Sequence, residues 1–448
     1  MNRRQFLQLA SAAALQAQTA PRQPNIVFIL ADDLGYGDLG CYGQKRLATP
    51  NLDRLAAEGT RFTQAYAGST VCAPSRCALM TGRHIGHARV RGNHRPEIGL
   101  EPGETTVAKV LRQAGYRTGI FGKWGLGGPD TAGQPNDQGF EEWFGYLSQL
   151  HAHDYYPTHL WQNREEFFLQ GNMGGKKEQY AHDLFTPRAL SFVERHRSEP
   201  FFLYLAYTVP HANNELGANT GNGMEVPDFG PYARENWPAV EKGFAGMVHR
   251  LDTDVGRVLA RLRELRLEEN TLVFFTSDNG PHREGGHDPD FFSSRGPLRG
   301  IKRDLYEGGI RIPMIARWPG RVPAGRVSDQ AWAFWDFLPT VADVAGVTPP
   351  SGVDGISMLP AMLGRSQRDH EYFYWEFHEG GFKQAVRMGD WKGVRPKLRG
   401  PLELYNLKDD PGEQRDVASR QPDVVARIEA ILRTARTESK EFPVAGVG

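Results

Sequence analysis

Three things are scarce in this chain of 448 residues. Cysteine is the first, present only as Cys41, Cys72 and Cys77. An odd number of thiols leaves at least one outside any intramolecular bridge, free for another task or simply buried. A surplus of one charge is the second. Lys plus Arg and Asp plus Glu each number 53, with no long run of either sign. Nucleic-acid binders and polybasic membrane proteins need a positive field, so the balance argues against both. Long apolar runs are the third. The stretch from Leu9 to Leu15 falls well short of the roughly 20 residues that span a bilayer, and no membrane span is expected. What is present, 40% apolar and 24% charged residues, is the composition of a globular protein with a large core.

The first residues read as a targeting segment. Arg3 and Arg4 precede Phe6, Leu7 and a small apolar stretch, with Ala14, Ala17 and Ala20 offering cleavage sites. This pattern matches a twin-arginine export signal over residues 1–20 and predicts a periplasmic protein.

Beyond it, strands and helices alternate, which predicts an α/β fold with a largely parallel sheet flanked by helices. Residues 25–30, 117–121, 201–207 and 271–276 read as strands, mostly continuous apolar runs. Thr49 and Pro50 open a helix that runs to Gly59, and residues 242–265 carry helical apolar spacing. Residues 211–238 read as a long loop. From about residue 354 the segments 372–377, 384–387, 391–394 and 402–405 become short and aromatic, which predicts a small antiparallel sheet before a final helix over 422–436. The expected units are a catalytic domain over 21–355 and a C-terminal subdomain over 356–448.

Polar residues sit where the strands end. The first strand runs into Asp32 and Asp33, the second into Lys123, the third into His211 and the fourth into Asp278 and Asn279. Open α/β sheets bind ligands outside the carboxyl ends of their strands. Adjacent aspartates alone are common in turns and caps. With Asp278 and Asn279 they form an all-oxygen set that suits calcium or magnesium, whereas zinc favours His and Cys. Cys72 lies in Cys72-Ala73-Pro74-Ser75-Arg76, with Pro74 placed as the first residue of a helix that Gly82 ends. Cys72 is then expected just before a helix N-terminus, where anions are attracted, with Arg76 adding a charged fork. The spacing from Cys77 to Arg83 matches cysteine phosphatases, but Ala78, Leu79 and Met80 read as helix rather than a phosphate loop.

The Cys72–Arg76 stretch, with Thr81-Gly82-Arg83 behind it, resembles the sulfatase signature. Other blocks resemble that family in the same order: Asp32-Asp33, Gly122-Lys123-Trp124, Pro210-His211, Asp278-Asn279-Gly280, residues 298–302, and Leu404-Tyr405-Asn406-Leu407. The resemblance implies an alkaline-phosphatase-like domain with a smaller C-terminal sheet. It implies that Cys72 is oxidised to formylglycine by a maturation enzyme, before folding and export, and that one calcium ion is held by Asp32, Asp33, Asp278, Asn279 and residue 72. It implies that Arg76, Lys123 and Lys302 bind the hydrated aldehyde and sulfate, and that His211 and Lys302 protonate the leaving oxygen. The implied reaction is hydrolysis of a sulfate ester, with a sulfated carbohydrate as expected substrate. The rivals are a phosphate or phosphonate monoester hydrolase of the same superfamily and a non-catalytic glycan-binding relative. Gly125 departs from the family, which has a histidine there, and a histidine from the segment containing His151 and His153 is expected to replace it. His151, His153, His159, His282 and Arg283 are the candidates for substrate binding.

Overall fold

The computed structural model describes residues 23–94 and 96–444, so the expected export signal lies outside the described residues. The strands, in chain order, are β1 (Asn25–Ala31), β2 (Thr60–Tyr66), β3 (Arg117–Lys123), β4 (Glu142–Tyr146), β5 (His159–Gln162), β6 (Glu165–Phe168), β7 (Phe201–Ala206), β8 (Thr271–Ser277), β9 (Arg311–Arg317), β10 (Arg326–Ser328) and β11 (Trp332–Ala333). They form one sheet in the order β10-β2-β9-β8-β1-β7-β3-β4-β5-β6, with β11 beside β2. β8, β1, β7, β3 and β4 run parallel; β9 is antiparallel to both its neighbours, as are the outer β5 and β6.

β1 is apolar on both faces because both are covered. Val27 and Ile29 join the cluster under helices Phe185–Arg195 and Ala239–Glu264. Ile26 and Phe28 point the other way, into a cluster with helices Cys72–Thr81, Val107–Gln113 and Phe337–Val344. The register pairs Leu30 with Ala206, Ala31 with Ser277 and Gly122 with Ala206. The carboxyl ends of β1, β3, β7 and β8 are therefore level, and the residues that follow them meet.

β12 (Phe373–Phe377), β13 (Lys383–Met388), β14 (Trp391–Arg395) and β15 (Glu403–Asn406) form the expected antiparallel sheet, covered by helix Pro422–Thr434. A third apolar cluster, including Tyr66, Trp335 and Trp375, joins it to the large sheet, and Trp375 Nε1 donates to the Ala67 carbonyl at 3.0 Å.

Three local expectations change. The helix carrying the cysteine begins at Cys72 itself, with extended Val71 as its cap, so Pro74 sits in the first turn, where a missing N–H costs little. The segment 211–238 contains helix Asn214–Thr220, capped by the Asn213 side chain accepting from Leu216 N at 3.0 Å. β2 and β9 belong to the large sheet although neither shows the apolar run that marks β1.

Candidate active site

β1 ends in Asp32, and the chain turns at Asp33, whose φ of 66° lies in the left-handed region that costs an ordinary residue energy. Two contacts hold it. Asp33 N donates to Asp278 Oδ1 at 3.1 Å, and Asn279 Nδ2 donates to Asp33 Oδ1 at 2.7 Å. The turns after β1 and β8 thus lock together, and Asp32, Asp33, Asp278 and Asn279 are all fully buried.

Cations surround these carboxylates. Arg76 donates through Nε and Nη2 to Asp278 Oδ2, at 3.1 and 2.9 Å, and through Nη1 to the Lys123 carbonyl at 2.9 Å. Its Nη2 lies 3.3 Å from Asp32 Oδ2. Lys123 Nζ donates to Asp32 Oδ2 at 2.7 Å. Lys302 Nζ reaches Asp33 Oδ2 at 2.8 Å, Glu284 Oε2 at 3.0 Å and His211 Nε2 at 3.1 Å. His211 Nδ1 donates to the Ala212 carbonyl at 2.7 Å, which leaves Nε2 as the acceptor facing Lys302.

Burial and neighbours set the protonation states. Burial raises Asp32, but Lys123, Arg76 and Lys302 outweigh it and hold the carboxyl far below its ordinary range. Asp278 is pushed up to about 7 by burial and by Asp32, against the pull of Arg76. Burial works against the charge of Lys302, yet Asp33 and Glu284 keep it an ammonium. His211 is pushed down to about 3 by burial and Lys302, so it is neutral. Cys72, whose Sγ lies 3.3 Å from Asp32 Oδ1, is raised well above an ordinary thiol by burial and Asp32. A thiolate nucleophile is therefore disfavoured at this position.

The donor set fits a hard divalent cation. Three buried carboxylates converge, and one is raised by burial and by Asp32. Asn279 Oδ1 is buried without a hydrogen-bond partner, while its Nδ2 serves both Asp33 and the Gly280 carbonyl. Asp32, Asp33, Cys72 and His211 each offer a ligand atom within 4.8 Å of the others. His211 Nε2 is engaged by Lys302, which leaves the oxygen atoms for an ion. The His84, His87 and Asp354 cluster is a poor site, since Gly86 N donates to His84 Nδ1 at 3.1 Å and so places the proton on Nε2, the nitrogen nearer Asp354. His282 is likewise committed, with Nδ1 accepting from Glu284 N and Nε2 facing the Pro210 carbonyl.

Above the carboxylates opens a cavity of about 260 Å³, lined in part by Cys72, Gly125, Gln149, His153, His211 and Lys302. Glu379, from the small sheet's β12–β13 turn, reaches its rim. Arg76 and Lys123 lie beneath, bound to carboxylates, instead of forming an open fork. Of the expected substrate-binding histidines, only His153 lines the cavity. The His151 ring packs on Tyr146 and His159, with centroids 5.2 and 4.6 Å away. His282 is buried behind His211, and Arg283 is paired with Asp288 and Asp290 at the surface. Gly125 has φ 75°, and a Cβ there would meet Gln149 Nε2 at 1.9 Å. Glu284 was not expected. It stands two residues past His282, but only the folding of Lys302 back against Pro281, with Lys302 N donating to its carbonyl at 2.9 Å, brings it into the site. Cys41 and Cys77 are unbridged.

The sulfatase family profile matches residues 24–347, and the N-sulphoglucosamine sulphohydrolase C-terminal profile matches residues 301–438. The chain is 37% identical to N-acetylgalactosamine-6-sulfatase of Canis lupus familiaris, across 98% of this chain and 85% of that one. It is 30% identical to N-acetylgalactosamine-6-O-sulfatase of Bacteroides thetaiotaomicron, across 93% and 94%. The crystal structure of Ps i-CgsB in complex with k-i-k-neocarrahexaose superposes with a TM-score of 0.75 at 32% identity, covering 91% of both chains.

Proposed function

Because the chain belongs to the sulfatase family, we propose that it hydrolyses sulfate esters of a carbohydrate through formylglycine at position 72 and one calcium ion. The family's activity is that of a sulfuric ester hydrolase, and the fold is alkaline-phosphatase-like. One observation carries the finer reading. A cysteine with a disfavoured thiolate shares its cavity floor with an all-oxygen donor set whose Asn279 Oδ1 lacks a partner. That combination suits a converted residue beside a hard cation better than thiol chemistry.

Asp32, Asp33, Asp278, Asn279 and residue 72 would hold the calcium. The hydrated aldehyde would supply the attacking hydroxyl, and calcium would draw charge from the sulfate oxygens. Around them this chain's own residues have separable tasks. Arg76 and Lys123 orient Asp278 and Asp32 and offset their charge. Lys302, kept an ammonium by Asp33 and Glu284, holds the proton for the leaving oxygen. Neutral His211, with Nε2 toward Lys302, fixes that ammonium in place and relays its proton.

The relatives' names point to sulfated sugars as the substrate class. Asn93, His94, Gln149 and Asn214 at the cavity suit sugar hydroxyls, and about 260 Å³ is at the small end of ligand clefts, which favours a terminal sugar ring over a polymer segment. Export to the periplasm and a formylglycine-generating partner complete the reading. The test is the mass of the tryptic peptide containing residue 72, from protein made in its native host, together with hydrolysis of N-acetylgalactosamine 6-sulfate and the matching 6-phosphate. An aldehyde and preference for sulfate are expected. A thiol in active protein, or preference for phosphate, overturns the proposal in favour of a phosphate-ester hydrolase.

A further inference from the structure

The proposed reaction leaves one proton without an acceptor. After the alcohol departs, sulfate is bound to a carbon that still carries a hydroxyl. Release requires that hydroxyl to lose its proton: the O–H pair becomes the C=O bond, and the C–O bond to sulfate breaks with its pair leaving on sulfate. Lys123 and Lys302 are held as ammonium ions and Arg76 as a guanidinium, so none can take a proton. The aspartates are engaged with one another and with the cations. His211 directs Nε2 at Lys302.

His153 is placed differently. Its ring lines the same cavity as Cys72 and stacks on His211, with centroids 4.9 Å apart and planes 18° from parallel. Nδ1 lies 3.0 Å from Glu215 Oε2 and 3.3 Å from Oε1. A carboxylate at Nδ1 places the proton there and leaves a lone pair on Nε2. Burial lowers the basicity of the ring and nearby Lys123 adds to this, while Glu215 opposes both, and the balance favours the uncharged imidazole, whose Nε2 lone pair is free. Glu215 comes from helix Asn214–Thr220, so the segment that the sequence presents as a plain loop supplies the partner.

We propose that His153 Nε2 is the base that removes this proton and drives sulfate release, with Glu215 as the positioning residue that fixes its tautomer. His151, turned against Tyr146 and His159, has no part in it. The inference rests on the formylglycine reading.

The experiment compares wild type with H153Q, E215Q and H151Q, each confirmed by mass to carry the aldehyde, in rapid mixing with 4-nitrophenyl sulfate. H153Q is expected to release a stoichiometric burst of nitrophenol and then turn over about 10²–10⁴-fold more slowly. Acid-quenched H153Q should carry sulfate on the residue-72 peptide. E215Q should show the same burst with a smaller slowing, and H151Q should turn over without trapping sulfate. E215Q changes a half-exposed side chain, so it keeps the test open if H153Q fails to fold. A burst slowed as much as turnover, with no sulfated peptide, overturns the proposal and makes His153 a support for His211. So does wild-type turnover in H153Q. A thiol at residue 72 in active wild-type protein sinks the formylglycine reading itself, an outcome distinct from either.

Discussion

Two clusters of buried charge each contain a carboxyl pushed up to about 7, and they differ in what surrounds it. In the active site it is Asp278, raised by burial and Asp32. Between the large and small sheets it is Glu413, raised by burial, drawn down by Lys392 and raised again by Glu307. The second cluster is closed within protein. Lys392 Nζ lies 2.9 Å from Glu307 Oε1 and 3.0 Å from Glu413 Oε1, the latter off the hydrogen-bond direction. Glu307 N donates to Glu413 Oε2 at 2.6 Å, Tyr66 donates to Glu307 Oε2 at 2.7 Å, and Arg387 donates to the Tyr66 oxygen at 2.6 Å. The first cluster opens onto a cavity and leaves an amide oxygen unpartnered among oxygen donors. Perturbed carboxyls occur in both, so perturbation alone does not mark function. Each cluster also leaves one buried acceptor unpartnered, Asn279 Oδ1 and Glu413 Oε1, so it is the cavity that separates the proposed catalytic cluster from the structural one.

The contrast can be broken most sharply at residue 72, the proposed nucleophile. Cys72→Ala is expected to cut sulfate release by on the order of 10³-fold or more while leaving the melting temperature close to wild type. Residual activity near the wild-type level would erase the distinction. Lys392→Met should do the opposite: a loss of about 3–5 kcal/mol in urea unfolding, because it strands Glu307, with near-normal activity per folded molecule. Calcium should act on one cluster only. Chelation is expected to abolish activity and lower thermal stability, and calcium at a hundredfold over its Kd should restore about 2.7 kcal/mol. Asp278→Asn should remove that increment and Lys392→Met should not; equal calcium responses in the two would blur the comparison.

The smallest effect is pH-linked. The ordinary glutamate value is 4.5, and Glu413 is pushed up to about 7, so between these values the folded state holds more protons than the unfolded. Its contribution to stability therefore falls as pH rises through that window and levels off above it. Glu413→Gln should remove this fall, on the order of 1–3 kcal/mol, seen as a flatter unfolding free energy between pH 4.5 and 7 than in wild type. A parallel decline in both proteins would assign the pH dependence elsewhere.

β1, β7 and β8 were legible because strands covered on both faces must be apolar throughout. The small sheet was legible from its short aromatic segments and turns. β9 was not, because Pro313 interrupts it, and proline within a run argues against a central strand. The sheet tolerates it through an irregularity: the register with β2 jumps between Phe62 and Ala65, opposite Pro313. β2 was missed because its polar residues, Arg61, Thr63 and Gln64, break the apolar run. In the site, Asp32, Asp33, Lys123, Asp278 and Asn279 were legible because each directly follows or ends a strand whose direction was readable. Glu284 and the choice of His153 over His151 were not, since both depend on how loops fold back over the strand ends.

The sequence by itself determined the layered α/β architecture, the family and the residue types gathered at one end of the sheet, because burial and strand direction are written in local apolar pattern. The tertiary structure alone decided which charges meet. Asp33 and Lys302 are 269 positions apart, and His153 and Glu215 are 62 apart. Whether such groups touch depends on closing long segments and on side-chain direction at both ends, which no local pattern specifies. The same holds for the Asn279 amide: Asp33 and the Gly280 carbonyl take its two N–H bonds, and no donor reaches its buried oxygen.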